Sequence, residues 1–400
     1  MRVLQVARFG SIKGGAETYV ASLSTGLREA GHEVALVYGA DPDSERPEVR
    51  AGFEVPGLVE PGAMPRGDNA GKLREAIEAF GPEIVHVHTP DVTWVAPVAA
   101  RYAPALLGVH DFRLNCPAGT KYWTARKAQC TVRPGVWCLG YNVTHHCGSL
   151  RANATLKPYT MWQAARSAAD ALHLQVFSRF VRDRIAETRF DGSRIAVTPY
   201  PVPPPALPAP PRVPADPRPV IFASGRLNKE KGFHQLIGSL EHVKTRAHLV
   251  IGGDGHERAA LERRAASMGG GHRITFTGWL SAEAAAGWRE RAALVAVPSM
   301  WPEPFGIVGL EAMAAGRAVV AFESGGIPEW LDHGQTGILV RPGDVRGLGN
   351  AIDELLDDDV KRVRMEDTAR ERVEERFGLA GHVERVVALY RDVRRDQGYK

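Results

Sequence analysis

The sequence predicts an α/β protein built from two domains, each containing a parallel, doubly wound sheet. The chain has 400 residues, which is too long for one ordinary hydrophobic core. Short apolar segments alternate with helical segments in both halves of the chain. Residues 199–219 separate the halves and hold 11 of the 28 prolines, a density that predicts an extended, semi-rigid linker.

The composition is that of a soluble globular protein, with 44% hydrophobic and 24% charged residues. The net charge of +4 is small for this length, so charge indicates no nucleic-acid partner. No apolar run reaches the roughly 18–20 residues that a transmembrane helix needs. The N-terminus enters a strand instead of a signal peptide. We therefore expect a cytoplasmic protein.

The first half contains the predicted strands of one parallel sheet. His110 and Asp111 directly follow one of them, at the edge where open α/β sheets place their ligand chemistry. His86 and His88 alternate within their strand and so point to one face, which favours a structural role. The strands are residues 3–7, 34–38, 84–87, 106–109, 172–176 and 195–198, with helical segments such as 71–80 between them.

The first strand runs into a glycine turn and a helix. Gly14 and Gly15 precede a helical segment with an apolar face, which ends at Gly31. This arrangement brings backbone close to a ligand at the carboxyl end of a parallel sheet. The spacing is not GxGxxG, so it predicts no dinucleotide fingerprint, and a plain tight turn is the alternative.

Residues 112–158 are a predicted insertion rich in basic and aromatic side chains, with no acidic residue. Such a segment could meet an anionic acceptor or make peripheral contact with the inner membrane surface. The alternative is a loop-rich excursion held together by its aromatic rings and thiols. No CxxC pair occurs, so structural zinc, buried free thiols and a redox-dependent disulfide stay open. All four cysteines lie in this insertion: Cys116, Cys130, Cys138 and Cys147.

The second half repeats the alternation of strands and helices. Arg226 and Lys231 follow its first strand and flank a turn, which suits two cations closing on a diphosphate, although solvated loop cations are the alternative. Gly253 lies in another glycine turn, and Trp279 and Leu280 follow a strand where an exposed backbone edge could read a nucleotide base. The strands are residues 220–224, 248–251, 274–277, 294–297, 318–321 and 337–340.

The segment MWPEPFGIVGLE, residues 300–311, predicts a strand-to-helix corner. A helix is predicted to begin near Phe305, so the free amides of Gly306, Ile307 and Val308 would point toward an anion. A side chain at Gly306 would hold that anion away from the backbone. The corner therefore predicts a phosphate site.

Two carboxylates, Glu303 and Glu311, flank this corner with seven residues between them. Glu311 would reach a sugar-like hydroxyl pair beyond the phosphate, and Glu303 would accept hydrogen bonds from hydroxyls on its other side. An ordinary strand–loop–helix unit with two surface glutamates is the alternative.

Together these motifs resemble the retaining glycosyltransferases of family 4, which have the GT-B architecture of two facing Rossmann-like domains. The resemblance spans essentially the whole chain, and the pair of glutamates in EPFGIVGLE is its most specific part. Further motifs are GGAETYV, the strand-end HD, SGRLNKEKG, GGDG, FTGWL and GGIPEWLDHGQTGILVRPGD.

The domain organisation follows from this resemblance and from the composition. Residues 1–200 would form an N-terminal Rossmann-like acceptor-side domain that carries the insertion at about 112–158. Residues 201–219 would be the proline-rich linker, and 220–380 the C-terminal donor-binding domain. Residues 381–400 would form a helix that crosses back to the N-terminal domain.

The resemblance implies roles for individual residues. Arg226 and Lys231 would bind the donor phosphates and stabilise charge on the leaving group, Glu303 would hold the donor sugar, and Glu311 would hold the ribose. The residues implied as catalytic are His110, Arg226, Lys231 and Glu303, and those implied as donor-binding are Gly15, Gly253, Trp279, Leu280, Phe305, Gly306, Ile307, Val308 and Glu311.

The implied activity is transfer of a hexose-type unit, with retention, from a nucleotide diphosphate sugar to a hydroxyl acceptor. The acceptor would be a glycan, a lipid-linked molecule or a small molecule, and the reaction would proceed on one face of the sugar. No catalytic metal would be needed, because Arg226 and Lys231 would take its place. The alternative is a non-catalytic nucleotide-sugar-binding scaffold or sensor. The long proline-rich linker departs from the short turn of relatives.

Overall fold

The computed structural model describes residues 1–10, 12, 14–39, 52–60, 62, 64–147, 156–188, 190–202 and 217–398. The chain divides into two compact units. The first unit comprises Met1–Ala125, Cys130–Pro203 and Leu379–Lys400, and the second comprises Arg126–Gln129 and Pro204–Gly378. Most of the predicted linker, 203–216, lies outside the described residues.

The first unit contains a seven-stranded parallel sheet in the order β3-β2-β1-β4-β5-β8-β9. In this sheet, Val3 of β1 pairs with Val34 on one side and with Ile84 on the other. A separate two-stranded sheet consists of β6 and β7. The strands are β1 Arg2–Phe9, β2 Glu33–Gly39, β3 Gly52–Glu54, β4 Ile84–Val87, β5 Ala105–Val109, β6 Tyr122–Trp123, β7 Ala128–Gln129, β8 His173–Val176 and β9 Ile195–Val197.

Helices cover the seven-stranded sheet. Gly31 follows the end of the first helix, and Gly81 follows the end of the second. Both glycines have left-handed backbone, as expected for glycine at a helix end. The helices are α1 Gly15–Glu29, α2 Asn69–Phe80, α3 Val95–Ala99, α4 Trp137–His145, α5 Leu156–Ala169 and α6 Arg179–Ala186, with 3-10 turns at Pro56–Val59 and Gly192–Arg194.

The second unit contains a six-stranded parallel sheet in the order β12-β11-β10-β13-β14-β15. The strand order reverses between β10 and β13, and ligands of open α/β sheets bind beyond the carboxyl ends at such a point. The strands are β10 Val220–Ser224, β11 His248–Gly252, β12 Arg273–Gly278, β13 Ala292–Val297, β14 Ala318–Phe322 and β15 Gly337–Val340.

The helices of the second unit bury one apolar face each, most clearly α11, where Leu348, Ile352 and Leu355 are fully buried. The helices are α7 Phe233–Ser239, α8 Arg258–Ala266, α9 Ala282–Arg291, α10 Ile307–Ala314, α11 Val345–Asp357 and α12 Asp359–Phe377, with 3-10 turns at Lys229–Lys231, Leu240–His242 and Ile327–Glu329.

The last helix, α13, spans Leu379–Asp396 and belongs to the first unit. It packs against α1, where a Cβ atom at Gly26 would lie 2.7 Å from a methyl carbon of Val383. Glycine therefore permits this close approach. The two parallel sheets and the returning helix confirm the predicted fold class. No helix among the described residues is long and apolar enough to span a lipid bilayer.

Candidate functional site

The predicted corner of the second unit follows β13 at the strand-order reversal. Gly306 adopts a φ of 91° and caps α10, so the helix begins at Ile307, two residues later than expected. No side chain caps this end. The amides of Ile307 and Val308 donate no hydrogen bond to any described residue. The first helical turn therefore offers free donors and the positive end of the helix dipole.

The loop after β10 forms backbone hydrogen bonds with the corner that follows β13. The Glu230 carbonyl oxygen accepts hydrogen bonds from the amides of Met300, at 2.9 Å, and Trp301, at 3.1 Å. Gly232 has a φ of 72°, and a Cβ atom there would lie 1.9 Å from the carbonyl oxygen of Pro298. Only glycine fits this crossing, which places Lys231 beside the corner.

Lys231 and Glu303 form an ion pair, with 2.6 Å between Nζ and Oε1. The Ser299 hydroxyl donates to the same carboxylate oxygen, and the Lys231 ammonium lies 5.1 Å from the centre of the Trp301 ring. Glu303 is only 6% exposed, and its Oε2 accepts no hydrogen bond from the described residues. The fold of the second unit thus brings the predicted site residues Lys231 and Glu303 into contact. Oε2 of Glu303 remains available to a ligand.

Arg226 lies in the same loop as Lys231 but is exposed. Its side chain makes no ion pair with any described residue, so its guanidinium is available to an anion. Glu311 differs, because its Oε2 lies 3.0 Å from Nη1 of Arg289. Burial raises the pKa of Glu311, and the charge of Arg289 opposes this shift. A ribose at Glu311 would share the carboxylate with this arginine.

The glycine turns of the second unit pack against one another. A Cβ atom at Gly253 would lie 2.0 Å from the carbonyl oxygen of Gly225, and the Gly253 amide donates to the Gly278 carbonyl at 2.7 Å. Gly253 is therefore needed for packing, whatever its role toward a ligand. Trp279 directly follows Gly278 and is 68% exposed, while Leu280 is half-buried.

Phe305 lies in the core of the second unit. Its side chain is buried and contacts Phe377, with 6.0 Å between ring centres. Its carbonyl oxygen accepts a hydrogen bond from Trp330 Nε1 at 2.6 Å. The ring therefore packs inside the unit, and the backbone alone could meet a ligand here.

In the first unit, His110 lies at the carboxyl end of β5 and both its ring nitrogens have partners. Nε2 lies 3.0 Å from Nδ1 of His88, and Nδ1 bonds to the hydroxyl of Tyr200. On its other side, His88 Nε2 lies 2.6 Å from Oε1 of Gln5. Gly15 begins α1 and is exposed, whereas Ser11 and Lys13 of the same turn lie outside the described residues.

These contacts assign the proton positions. The amide oxygen of Gln5 can only accept, so His88 carries its proton on Nε2 and accepts at Nδ1. His110 must then donate from Nε2 and accept the Tyr200 proton at Nδ1. Burial lowers the pKa of His110 to about 3, so this ring is neutral at neutral pH. It therefore supplies no positive charge to a ligand there.

The sequence interpretation missed the link between His88 and His110. Alternation within β4 correctly placed His86 and His88 on one face, and their ring centres are 4.0 Å apart. The adjacency of β4 and β5 then brings His88 to His110. Ser299 was also missed, because a serine in a loop carries no distinctive signal.

The four cysteines of the insertion are free thiols. Burial raises the pKa of Cys130, Cys138 and Cys147, in the last case to about 12 with help from the other three thiols. The described residues contain no group of three or more His, Cys, Asp or Glu side chains arranged to hold a metal ion. Structural zinc stays a prediction that metal analysis can test.

Models of known sequence families match both halves of the chain. The model for glycosyltransferase family 4 matches residues 13–204, and that for glycosyl transferases group 1 matches residues 210–372. Alpha-D-kanosaminyltransferase of Streptomyces kanamyceticus is 32% identical over 181 residues, which cover 44% of this chain and 47% of that protein. The chain spans less than half the length of several curated relatives that it matches.

Two longer matches cover almost the whole chain. Phosphatidyl-myo-inositol mannosyltransferase of Mycolicibacterium smegmatis is 26% identical over 394 residues, or 93% of this chain and 89% of that protein. The crystal structure of Anabaena HepE in complex with UDP and glucose matches with a TM-score of 0.72 at 19% identity, over 98% of this chain and 100% of that one. Each half of the chain thus matches a glycosyltransferase model, which is consistent with a family 4-like glycosyltransferase, and the chain has the GT-B fold.

Proposed function

We propose that this protein transfers a hexose-type sugar, with retention of configuration, from a nucleotide diphosphate sugar to a hydroxyl acceptor. The observation that carries the proposal is the Lys231–Glu303 pair beside the free amides at the start of α10. The names of the relatives support it, since they include a kanosaminyltransferase and a mannosyltransferase, and HepE was crystallised with UDP and glucose.

Electrostatic stabilisation of the leaving group is the main catalytic effect in this proposal. As the bond between the anomeric carbon and the phosphate oxygen breaks, negative charge grows on the diphosphate. In this proposal Lys231, Arg226 and the amides at the start of α10 stabilise that charge. The Glu303 carboxylate holds hydroxyls of the transferred sugar through Oε2.

The acceptor attacks from the face that the diphosphate leaves. A bond forms between the acceptor oxygen and the anomeric carbon, and the acceptor proton passes to the departing diphosphate. No side chain becomes covalently attached, so the protein contributes positioning and charge. We infer that no metal is required, because the two cations perform the role that a divalent ion would otherwise have.

Single substitutions at the ion pair test the proposal. After a screen identifies the donor, Lys231→Ala and Glu303→Ala should each reduce transfer at least about a hundredfold, as expected for loss of one preorganised contact. Lys229→Ala and Glu323→Ala are matched controls, because they remove the same two side-chain types at exposed positions. Wild-type rates in the first two variants would reject the site.

Three further measurements separate the alternatives. Transfer should persist in excess chelator, and strict dependence on an added divalent metal would contradict the role given to the cations. A protein that binds the nucleotide sugar but forms no product with any acceptor would favour the scaffold or sensor. Flotation with anionic liposomes at low and high salt tests whether the basic insertion contacts a membrane.

A further inference from the structure

A cleft of about 210 Å³ lies within the first unit and has no role in the site described above. It sits at the carboxyl ends of the central strands, since Arg8 belongs to β1 and Asp91 follows β4. The strand order of the sheet reverses between β1 and β4, the position at which open α/β sheets bind ligands. The cleft therefore occupies the place where this sheet is expected to hold a ligand.

The floor of the cleft carries a fixed set of charges. Asp91 is 7% exposed, and its Oδ2 lies 2.9 Å from Nη1 of Arg8 and 3.6 Å from Nη1 of Arg113. Nε and Nη2 of Arg8 donate to the Val59 carbonyl at 3.2 and 2.8 Å, which orients the guanidinium. Oδ1 of Asp91 has no partner among the described residues. One oxygen of this largely buried carboxylate is thus available to a hydroxyl donor.

The positive charges at this edge are offset by carboxylates. Arg113 pairs with Asp111 at 2.8 Å, and Arg8 pairs with Asp91. Two cations therefore face two carboxylates, and a third carboxylate, Glu17, interacts with both Arg8 and Asp91. Such a floor offers no net attraction to an anion. It disfavours the anionic acceptor that the basic composition of the insertion suggested.

The walls of the cleft are apolar and partly supplied by the insertion. Pro117 comes from the insertion, and Met161 and Trp162 come from α5. Trp162 is held in place because its Nε1 donates to the Leu114 carbonyl at 2.9 Å. An apolar wall opposite a polar floor suits a ring with C–H groups on one face and hydroxyls at its edge.

The size of the cleft limits what it can enclose. Its volume lies below the roughly 300–1,000 Å³ of sites that bury a drug-sized ligand. One small ring, or one end of a longer molecule, fits this space.

We propose that this cleft binds one neutral, pyranose-like sugar ring of the acceptor, with Asp91 accepting its hydroxyl hydrogens and Trp162 and Met161 packing against its C–H face. The proposal rests on the proposed transferase function, because it takes the ring to belong to the acceptor. It names Asp91, Arg8 and Trp162 as residues that determine which acceptor is used.

Ligand-observed saturation-transfer NMR on the full chain tests this site. The probes are methyl α-D-glucopyranoside, methyl α-D-mannopyranoside and methyl N-acetyl-α-D-glucosaminide. At least one should receive saturation from the wild-type protein. Ala118→Trp, which fills the cleft from a half-buried loop position, should reduce that signal to about a tenth or less. Asp91→Asn should weaken binding by about tenfold or more, because a charge-assisted hydrogen bond is lost.

The matched control is Ala21→Trp, an exposed substitution on α1 that should leave the signal unchanged. Thermal unfolding of each variant shows whether it is folded, and Asp91→Asn keeps the test valid if the tryptophan variant is not. Binding of none of the glycosides, an unchanged signal in both cleft variants, or displacement of the glycoside by inorganic phosphate would overturn the proposal.

Calorimetric titration with UDP and GDP distinguishes this failure from failure of the proposed function. A wild-type protein that binds a glycoside but no nucleotide would count against the donor site alone. A protein that binds nucleotide but no glycoside would count against the cleft alone.

Discussion

Buried histidines in the first unit should make the protein markedly less stable when the pH falls from 7.5 to 5.5. Burial lowers the pKa of His86 and His88 well below the ordinary value, and that of His110 and His382 to about 3. In the unfolded chain each ring titrates near 6.5. The unfolded state therefore binds more protons over this range, and the free energy of unfolding decreases as the pH falls.

The magnitude follows from the exposure of each ring. A histidine that stays neutral when folded loses about 1.4 kcal/mol of stability between pH 7.5 and 5.5. His86 and His382 are fully buried and His88 is 6% exposed, so together these three contribute about 4 kcal/mol. His110, which is partly exposed, adds at most the value of one more ring. The raised pKa values of Asp111 and Glu311 act in the opposite direction.

Urea unfolding followed by circular dichroism at pH 7.5, 6.5 and 5.5 measures this effect. The expected decrease in unfolding free energy is a large part of the roughly 5–15 kcal/mol that stabilises a typical domain. His382→Gln should reduce the pH-dependent decrease by about 1.4 kcal/mol. His256→Gln, at a ring that is 70% exposed, should not change it. A decrease below about 1 kcal/mol, or equal pH dependence in both variants, would refute the reasoning.

Three further predictions follow from packing and composition. Tyr390→Phe should lower the unfolding free energy by about 2–4 kcal/mol, because its hydroxyl serves two buried polar partners, whereas Tyr102→Phe at the surface should change it by less than about 0.5 kcal/mol. Gly232→Ala should lower both Tm and donor affinity, because the added Cβ atom would lie 1.9 Å from the carbonyl oxygen of Pro298. The control Gly334→Ala has no atom within 4 Å of the added Cβ and should show only the effect of backbone strain. Equal losses of Tm in the two variants would contradict this prediction. If the four thiols hold structural zinc, metal analysis should give about one equivalent per chain, and none would dismiss the idea.

The strands could be predicted closely because they are set by local pattern. Residues 220–224 and 337–340 have the same bounds in the sequence prediction and in the structure. Runs of β-branched and aliphatic residues that end at glycine, proline or polar residues favour buried strands wherever they occur. The start of α10 was less predictable, because it depends on the left-handed backbone of Gly306.

The contacts of the site depend on which strands become neighbours. Lys231 and Glu303 are 72 residues apart and meet because β10 lies beside β13. Likewise, β4 lies beside β5, and this adjacency makes His88 the hydrogen-bond partner of His110. Asp91 and Arg8 meet across the reversal between β1 and β4. No residue pattern along the chain predicts these contacts.

The sequence by itself determined the α/β class, the positions of most strands, the resemblance to family 4 glycosyltransferases and the residues that border the corner of the second unit, but it missed the short strands β3, β6 and β7. Each of these depends on spacing and residue type within short segments, where backbone preferences and burial act locally. Only the tertiary structure decided which charges pair, how His110 is protonated and where a cleft with paired charges lies in the first unit. Those properties arise from long-range contacts and from exclusion of water, which exist only once the strands have assembled.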